Sequence, residues 1–145
     1  MNIESILAAK GRAVRTISAR TTVREAMALM TRQRMSALVV SEDGAKVDGI
    51  VSDRGVLHAL VEQGTEVLER TIGEIMTREV FTCSRGDSVG AIMAAMTERR
   101  IRHIPVVEQD GTLCGIVSIG DVVKHHLDEI QHEAAEMREY ISTSW

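Results

Sequence analysis

Three aromatic side chains in 145 residues, Phe81, Tyr140 and Trp145, leave this chain without the stacking platforms that hold single-stranded nucleic acids. A net charge of -4 leaves it equally without a general basic surface, so nucleic acid is not an expected partner. The two cysteines, Cys83 and Cys114, cannot staple a chain of this size, and Cys114 lies in an apolar run where a thiol behaves as a small hydrophobe. No uncharged apolar run approaches the roughly 20 residues of a membrane span, and no membrane partner is expected. The N-terminus has Glu4, Lys10 and Arg12 around a brief apolar patch rather than the apolar core of a secretory signal, which makes a cytoplasmic location the expectation. Proline occurs once, as Pro105. Because proline donates no ladder hydrogen bond and favours sheet edges, the backbone near Ile104 and Pro105 is expected to stay open to a ligand or to solvent.

What the chain does contain is a repeat. The stretch GIVSDRGVLH at residues 49–58 recurs as GIVSIGDVVK at residues 115–124, an offset of 66 positions. The same offset matches Val14, Thr16, Ser18, Val23, Met27, Met30, Arg34, Val40 and Glu42 to identical residues, with no gap. A unit of this size used twice reads as a duplicated supersecondary block, in which each copy buries the other. Each GIVS reads as a strand that ends in a turn and leads into a helix. The copies differ at one chemically important place: Asp121 stands three residues after Ser118, whereas Gly55 stands three after Ser52.

Hydrophobic periodicity supplies the remaining elements. Residues 1–12 read as a leading helix stopped by Gly11, and 14–18 as a strand. Thr22 and Glu25 form a capping-box pattern ahead of a helix to about Arg34. Residues 37–41 and 49–52 pair as strands, and 56–62 close the first unit with a helix. Residues 64–78 form an ordered linker. The second unit repeats the order with a strand at 80–83, a helix at 89–99, strands at 103–107 and 113–118, and a final helix from about Asp121. That helix runs past the repeat on an apolar stripe of Leu127, Ile130, Ala134, Met137 and Ile141, which needs a partner surface. The eight methionines suit an adaptable core or a contact surface.

Residues 14–18, IGEIMTREV at 72–80, IRHIPV at 101–106 and the two GIVS turns together resemble the cystathionine beta-synthase (CBS) domain family, over essentially the whole chain. The match is to a tandem pair, or Bateman module, of the stand-alone bacterial type. The resemblance implies an α/β (α+β) fold of two CBS repeats, each strand-helix-strand-strand-helix, paired about a pseudo two-fold axis. An N-terminal helix and an extended C-terminal helix flank them, with domains at 1–66 and 67–145. It further implies a non-catalytic regulator that binds adenine nucleotides (AMP, ADP, ATP or NAD(H)) between the repeats as an energy or redox-state sensor. A homodimer and an unidentified regulated protein are the implied partners, with Met27, Met30, Met93 and Met96 as reasonable contacts.

The site residues follow partly from chemistry and partly from that resemblance. A carboxylate at Asp121 can accept hydrogen bonds from both hydroxyls of a ribose, while Ser118 and the turn amides near a helix N-terminus can meet a phosphate. Gly120 lets the ligand approach. By resemblance, Arg54, Arg102 and His103, next to Ile104 and Pro105, face phosphate, and the stretch Val80, Phe81 and Thr82 lines the adenine. With Gly55 in place of an acid, the first copy is expected to bind weakly or not at all. The bland reading of Ser118 and Asp121 is a helix cap and a dipole partner. The competing function is an interaction scaffold with a vestigial cleft. No catalytic spacing, Walker-type loop or GxGxxG points to an enzyme. A metal site from His125, His126, Asp128, Glu129 and His132 is the remaining alternative; a charged helix face is the commoner arrangement, and no metal is expected.

Overall fold

The computed structural model of the chain describes residues 1–143, so Trp145 lies outside them. The leading helix α1 (Ile3–Lys10) is followed by β1 (Thr16–Ile17), α2 (Val23–Gln33), β2 (Ala37–Val40), β3 (Gly49–Ser52) and α3 (Asp53–Gln63). A single 3-10 segment (Thr65–Glu69) and the short α4 (Ile72–Ile75) lead to α5 (Val89–Arg99), β4 (His103–Val107), β5 (Leu113–Ser118) and the long α6 (Ile119–Thr143). In the first unit β1 runs parallel to β2, which pairs antiparallel with β3. The second unit keeps the antiparallel pair, β4 with β5. Among the described residues no helix is long and apolar enough to cross a membrane.

The repeat in sequence is a repeat in local physics. Thr22 caps α2 by accepting from the Glu25 N–H at 3.1 Å, and Ser88 caps α5 by accepting from the Ala91 N–H at 3.1 Å. Each helix then buries one face, Val23, Ala26 and Met30 in α2 and Val89, Ile92 and Met96 in α5. Both end on an arginine in left-handed backbone, Arg34 at φ 53° and Arg100 at φ 55°. A non-glycine residue there costs roughly 1–2 kcal/mol, so the matched strain marks a turn that the surrounding structure imposes.

The expected strand over 80–83 does not form. Cys83 alone bridges Val106, donating to the Pro105 carbonyl at 3.0 Å and accepting from the Val107 N–H at 2.9 Å. The next rung of a parallel ladder would need an N–H from residue 105 to reach the Phe81 carbonyl, and proline has none. In the first unit Val39 occupies that position, and there β1 pairs over Thr16 and Ile17. The same contacts overturn the expectation of an open backbone at 104–105: Pro105 is buried between β5 and the Cys83 segment, and Ile104 is completely buried.

Two hydrophobic clusters make up the core, and the helices that complete them are exchanged between the units. Ile3, Ile6 and Leu7 of α1 belong to the cluster of the second unit, with Val89, Met96, Ile104 and Val117. Val67 and Ile72, from the segment that introduces the second unit, belong to the cluster of the first. The two docking modes match bond for bond. Ile3 donates to the Asp87 carbonyl and Glu4 to that of Arg85, as Ile72 does to Thr21 and Gly73 to Ala19. This explains the glycine of each GIVS. A Cβ at Gly49 would lie 2.9 Å from the Thr77 carbonyl and 2.5 Å from Met76, and one at Gly115 would lie 2.7 Å from a Leu7 methyl, so glycine lets each exchanged segment seat on the strand without displacing these groups. Met30 and Met96 are core residues at 2% exposure, whereas Leu57, Val61, Val123 and Leu127, at matching repeat positions, are exposed.

If α1 is part of the second core rather than an appendage, Leu7→Ala should destabilise the protein by about 2–5 kcal/mol. Urea denaturation followed by circular dichroism reads this directly, and an unchanged midpoint would separate the helix from the core.

Candidate functional site

Each GIVS strand passes straight into a helix, and its serine is the cap. Ser52 Oγ accepts from the Gly55 N–H at 3.0 Å, and Ser118 Oγ accepts from the Asp121 N–H at 3.1 Å. Only the second turn closes reciprocally, because Asp121 Oδ2 accepts from the Ser118 N–H at 2.9 Å, whereas Gly55 has no side chain to return the bond. The result in the second turn is a capping box of the serine–acid type. The exchanged helix α1 adds a third partner: Lys10 Nζ donates to Asp121 Oδ2 at 2.6 Å and to the Ile116 carbonyl at 2.9 Å. Both bonds to the carboxylate fall on Oδ2, so among the described residues Oδ1 is the oxygen left to accept from a ligand. In the first turn the acid one residue after the serine, Asp53, instead accepts from Arg102 of the other unit at 2.6 Å.

Two clefts open beside these turns. The first encloses about 270 Å³ and is lined by Ser52, Arg54, Val80, Phe81, Arg102 and His103 among others. The second encloses about 360 Å³ and is lined by Lys10, Arg34, Ser36, Ser118 and Gly120, again with Arg102 and His103. Both volumes are close to the lower end of the roughly 300–1,000 Å³ of small-molecule sites. The residues expected to form one site are therefore divided between two. Arg54, Val80 and Phe81 stand in the first cleft, Ser118 and Gly120 in the second, and Arg102 and His103 on the wall they share. Asp121 flanks the second cleft beside Lys10, facing a shallow depression shared with Lys124 and His125. Thr82 lies in a separate depression with Lys46, Val107 and Thr112. Ile104 and Pro105 are buried beneath the clefts without lining them.

Lys10, Arg34, Ser36, Asp53, Arg99 and Arg100 border these clefts or hold their walls and were not singled out from the sequence. The 66-residue offset carries the signal for three of them, since it sets Arg34 on Arg100 and Ser36 on Arg102. Lys10 carries no such signal, because α1 and the α4 segment are related by a different offset. His103 Nε2 lies 3.1 Å from Ser36 Oγ across the units. Burial, reinforced by the neighbouring Arg102 charge, lowers the His103 pKa below the usual histidine value, which leaves the ring neutral at pH 7. Of the metal alternative, His125 contacts Met1 Sδ at 2.7 Å and His132 pairs with Glu136 at 3.1 Å. Among the described residues no three histidine, cysteine or acidic side chains are grouped to hold a metal ion.

A CBS domain model matches residues 11–62 and again 72–128. The chain belongs to the CBS-domain family. The paired fold is that of a CBS-domain containing protein from Agrobacterium tumefaciens, at 34% identity and a TM-score of 0.83, covering 87% of this chain and 99% of that one. Among sequences, the mitochondrial CBS domain-containing protein CBSX3 of Arabidopsis thaliana is 37% identical over 124 residues, 83% of this chain. This CBS pair spans 60% of that relative's length. The structure of CBSX2 in complex with AMP shares the fold at a TM-score of 0.71 and 23% identity, covering 88% of this chain and 96% of that one.

Burial pushes the Asp121 carboxyl up, but the Lys10 and Ser118 hydrogen bonds outweigh it, and the net shift is downward. A depressed carboxylate contributes stability above its unfolded value of about 3.9 and loses it as the pH falls through the lower folded value. Lys10→Met should therefore move the Asp121 midpoint upward in a carboxyl NMR titration. A midpoint unaltered by that substitution would show that Lys10 does not hold this acid.

Proposed function

We propose that this CBS pair is a non-catalytic, cytoplasmic regulatory module that binds an adenine nucleotide, AMP, ADP, ATP or NAD(H), in the second cleft. The observation that carries the reading is the Asp121 carboxylate at the helix start, held through Oδ2 and with Oδ1 available to a ribose hydroxyl. Lys10 and Arg34 line the second cleft that Asp121 flanks and supply positive charge for the phosphate, with Arg102 and His103 on the wall it shares with the first cleft. Gly120 keeps the turn clear, since a Cβ there would meet only Ser118 Oγ at 3.6 Å. The AMP complex of CBSX2, a relative in fold, supports the ligand class.

A ligand regulates only if it binds two states of the protein differently. Lys10 offers a route to such a difference, because a ribose hydroxyl on Oδ1 would load the same carboxylate that ties α1 to the second turn. A homodimer completes the reading, supported by the exposed apolar residues Leu57, Val61, Val123 and Leu127 at equivalent positions of the two units. The regulated protein is a partner of unidentified chemistry. A scaffold in which the clefts are vestigial is the competing reading, favoured by the exposed Leu127, Ile130 and Met137 along α6.

Titration calorimetry with AMP should give one site per chain, and Asp121→Ala should weaken it at least tenfold, as expected for a lost charge-assisted hydrogen bond of about 1.5–3 kcal/mol. Two equal sites, or an alanine variant of unaltered affinity, would refute the asymmetric site. A thermal-shift panel of AMP, ADP, ATP, NAD+, NADH and S-adenosylmethionine separates sensor from scaffold. At 100 times Kd a true ligand adds about 2.7 kcal/mol of stability, and silence across the panel would favour the scaffold.

A further inference from the structure

The last helix outruns its counterpart. The 66-residue offset sets α3 on the start of α6, yet α3 ends at Gly64, in backbone at φ 82°, while the matching position in α6 is Ile130 and the helix continues to Thr143. The match to the CBS domain model ends at residue 128, so the stretch 129–143, about 22 Å of helix, lies beyond the repeat. Val123, Leu127, Ile130, Ala134 and Met137 are separated by four, three, four and three positions, which is the heptad spacing of a coiled-coil seam. Val123, Leu127, Ile130 and Met137 are all exposed. The N-terminal segment does not cover them, because its side-chain contacts with α6 go to Asp121 and His125, on the opposite side of the helix from Val123.

We propose that α6 pairs with α6 of a second copy of this chain as a parallel, two-stranded coiled coil that clamps the two second units together. The proposal deepens the homodimer reading and rests on it: Val123 and Leu127 are among the apolar residues that support that dimer, and the coil carries their seam past the body of the domain. Charge sets the direction. In the heptad that places Leu127 and Ala134 at a and Ile130 and Met137 at d, Glu133 falls at g and Arg138 at the following e. Parallel strands in register bring each Glu133 to the partner's Arg138, once on each side of the seam. Antiparallel strands that keep the same seam packed would instead set Glu133 against Glu133 and Lys124 against Arg138, four like charges in place of two ion pairs. Within one chain, among the described residues, Glu133 and Arg138 enter no ion pair, so both are available to a partner.

Sedimentation equilibrium of the full chain tests the seam. The wild type should be a reversible dimer, and Ile130→Asp/Met137→Asp should weaken it about tenfold or more, since each dimer would bury four unpaired carboxylates. Ala134→Leu, which thickens the middle layer, should tighten it about tenfold. Glu133→Arg sets like charges against Arg138 and should weaken association about two- to fivefold, and adding Arg138→Glu should restore it. Direction is read by Met137→Cys under mild oxidation, because only parallel strands in register set residue 137 against its own copy. That variant should cross-link as a dimer where the wild type, with Cys83 buried and Cys114 half-buried, does not. All the substituted side chains except Ala134 are exposed, and a thermal melt of each variant establishes that it folds. A monomeric wild type would overturn both the coil and the homodimer. A dimer indifferent to Ile130→Asp/Met137→Asp would overturn the coil alone and leave the homodimer to the contacts at Leu57 and Val61. A dimer of Met137→Cys that forms no cross-link would overturn the parallel arrangement.

Discussion

The seating of one unit's leading segment on the other unit's glycine strand is the contact on which the rest of this molecule depends. Leu7 lies against Gly115 and Met76 against Gly49, so close that a Cβ at either glycine would displace the seated side chain. Each half therefore has a core closed by a piece of chain that precedes the other half. Neither half of about 60 residues would bury enough apolar surface alone, and the exchange removes that difficulty while locking the relative position of the two GIVS turns. The loops between paired strands are drawn in as well, with the Leu113 N–H donating to the Ala45 carbonyl at 2.7 Å.

That architecture determines what the clefts can be. Because α1 docks on the second unit, it delivers Lys10 to Asp121, while the α4 segment, docked on the first, delivers no cation to Gly55. The duplicated turns have thereby diverged in two coordinated respects. One has an acid and a lysine that holds it; the other has neither, and gathers arginines instead. Arg102 and His103 stand between them, on a wall common to both clefts. Burial lowers the His103 pKa, which favours the neutral ring on that shared wall.

Much of the fold was legible in the chain because its signals are local. The cap at Thr22, the stop at Gly11, the apolar spacing of α2 and α5 and the short β-branched strands depend on residues within a few positions of one another. The missing strand at 80–83 was not, since it required knowing that Pro105 would lie opposite Phe81 and lack the N–H that Val39 supplies in the first unit. The candidate site was legible in its residue types but not in its grouping. Arg54, Val80 and Phe81 were read together with Ser118, Gly120 and Asp121, whereas folding sends the two sets to opposite sides of a common wall.

The sequence by itself determined that there are two units, that each turn is a capped strand-to-helix junction, and that Asp121 has no counterpart at residue 55. These follow from an unbroken 66-residue offset and from side chains acting within one turn of backbone. Only the tertiary structure decided that α1 completes the second core, that Lys10 reaches Asp121 across 111 residues, and that arginines from separate helices share the cleft beside Gly55. Such pairings join segments remote in the chain, and their energy comes from the surface that the units bury against each other, which no short window of sequence encodes.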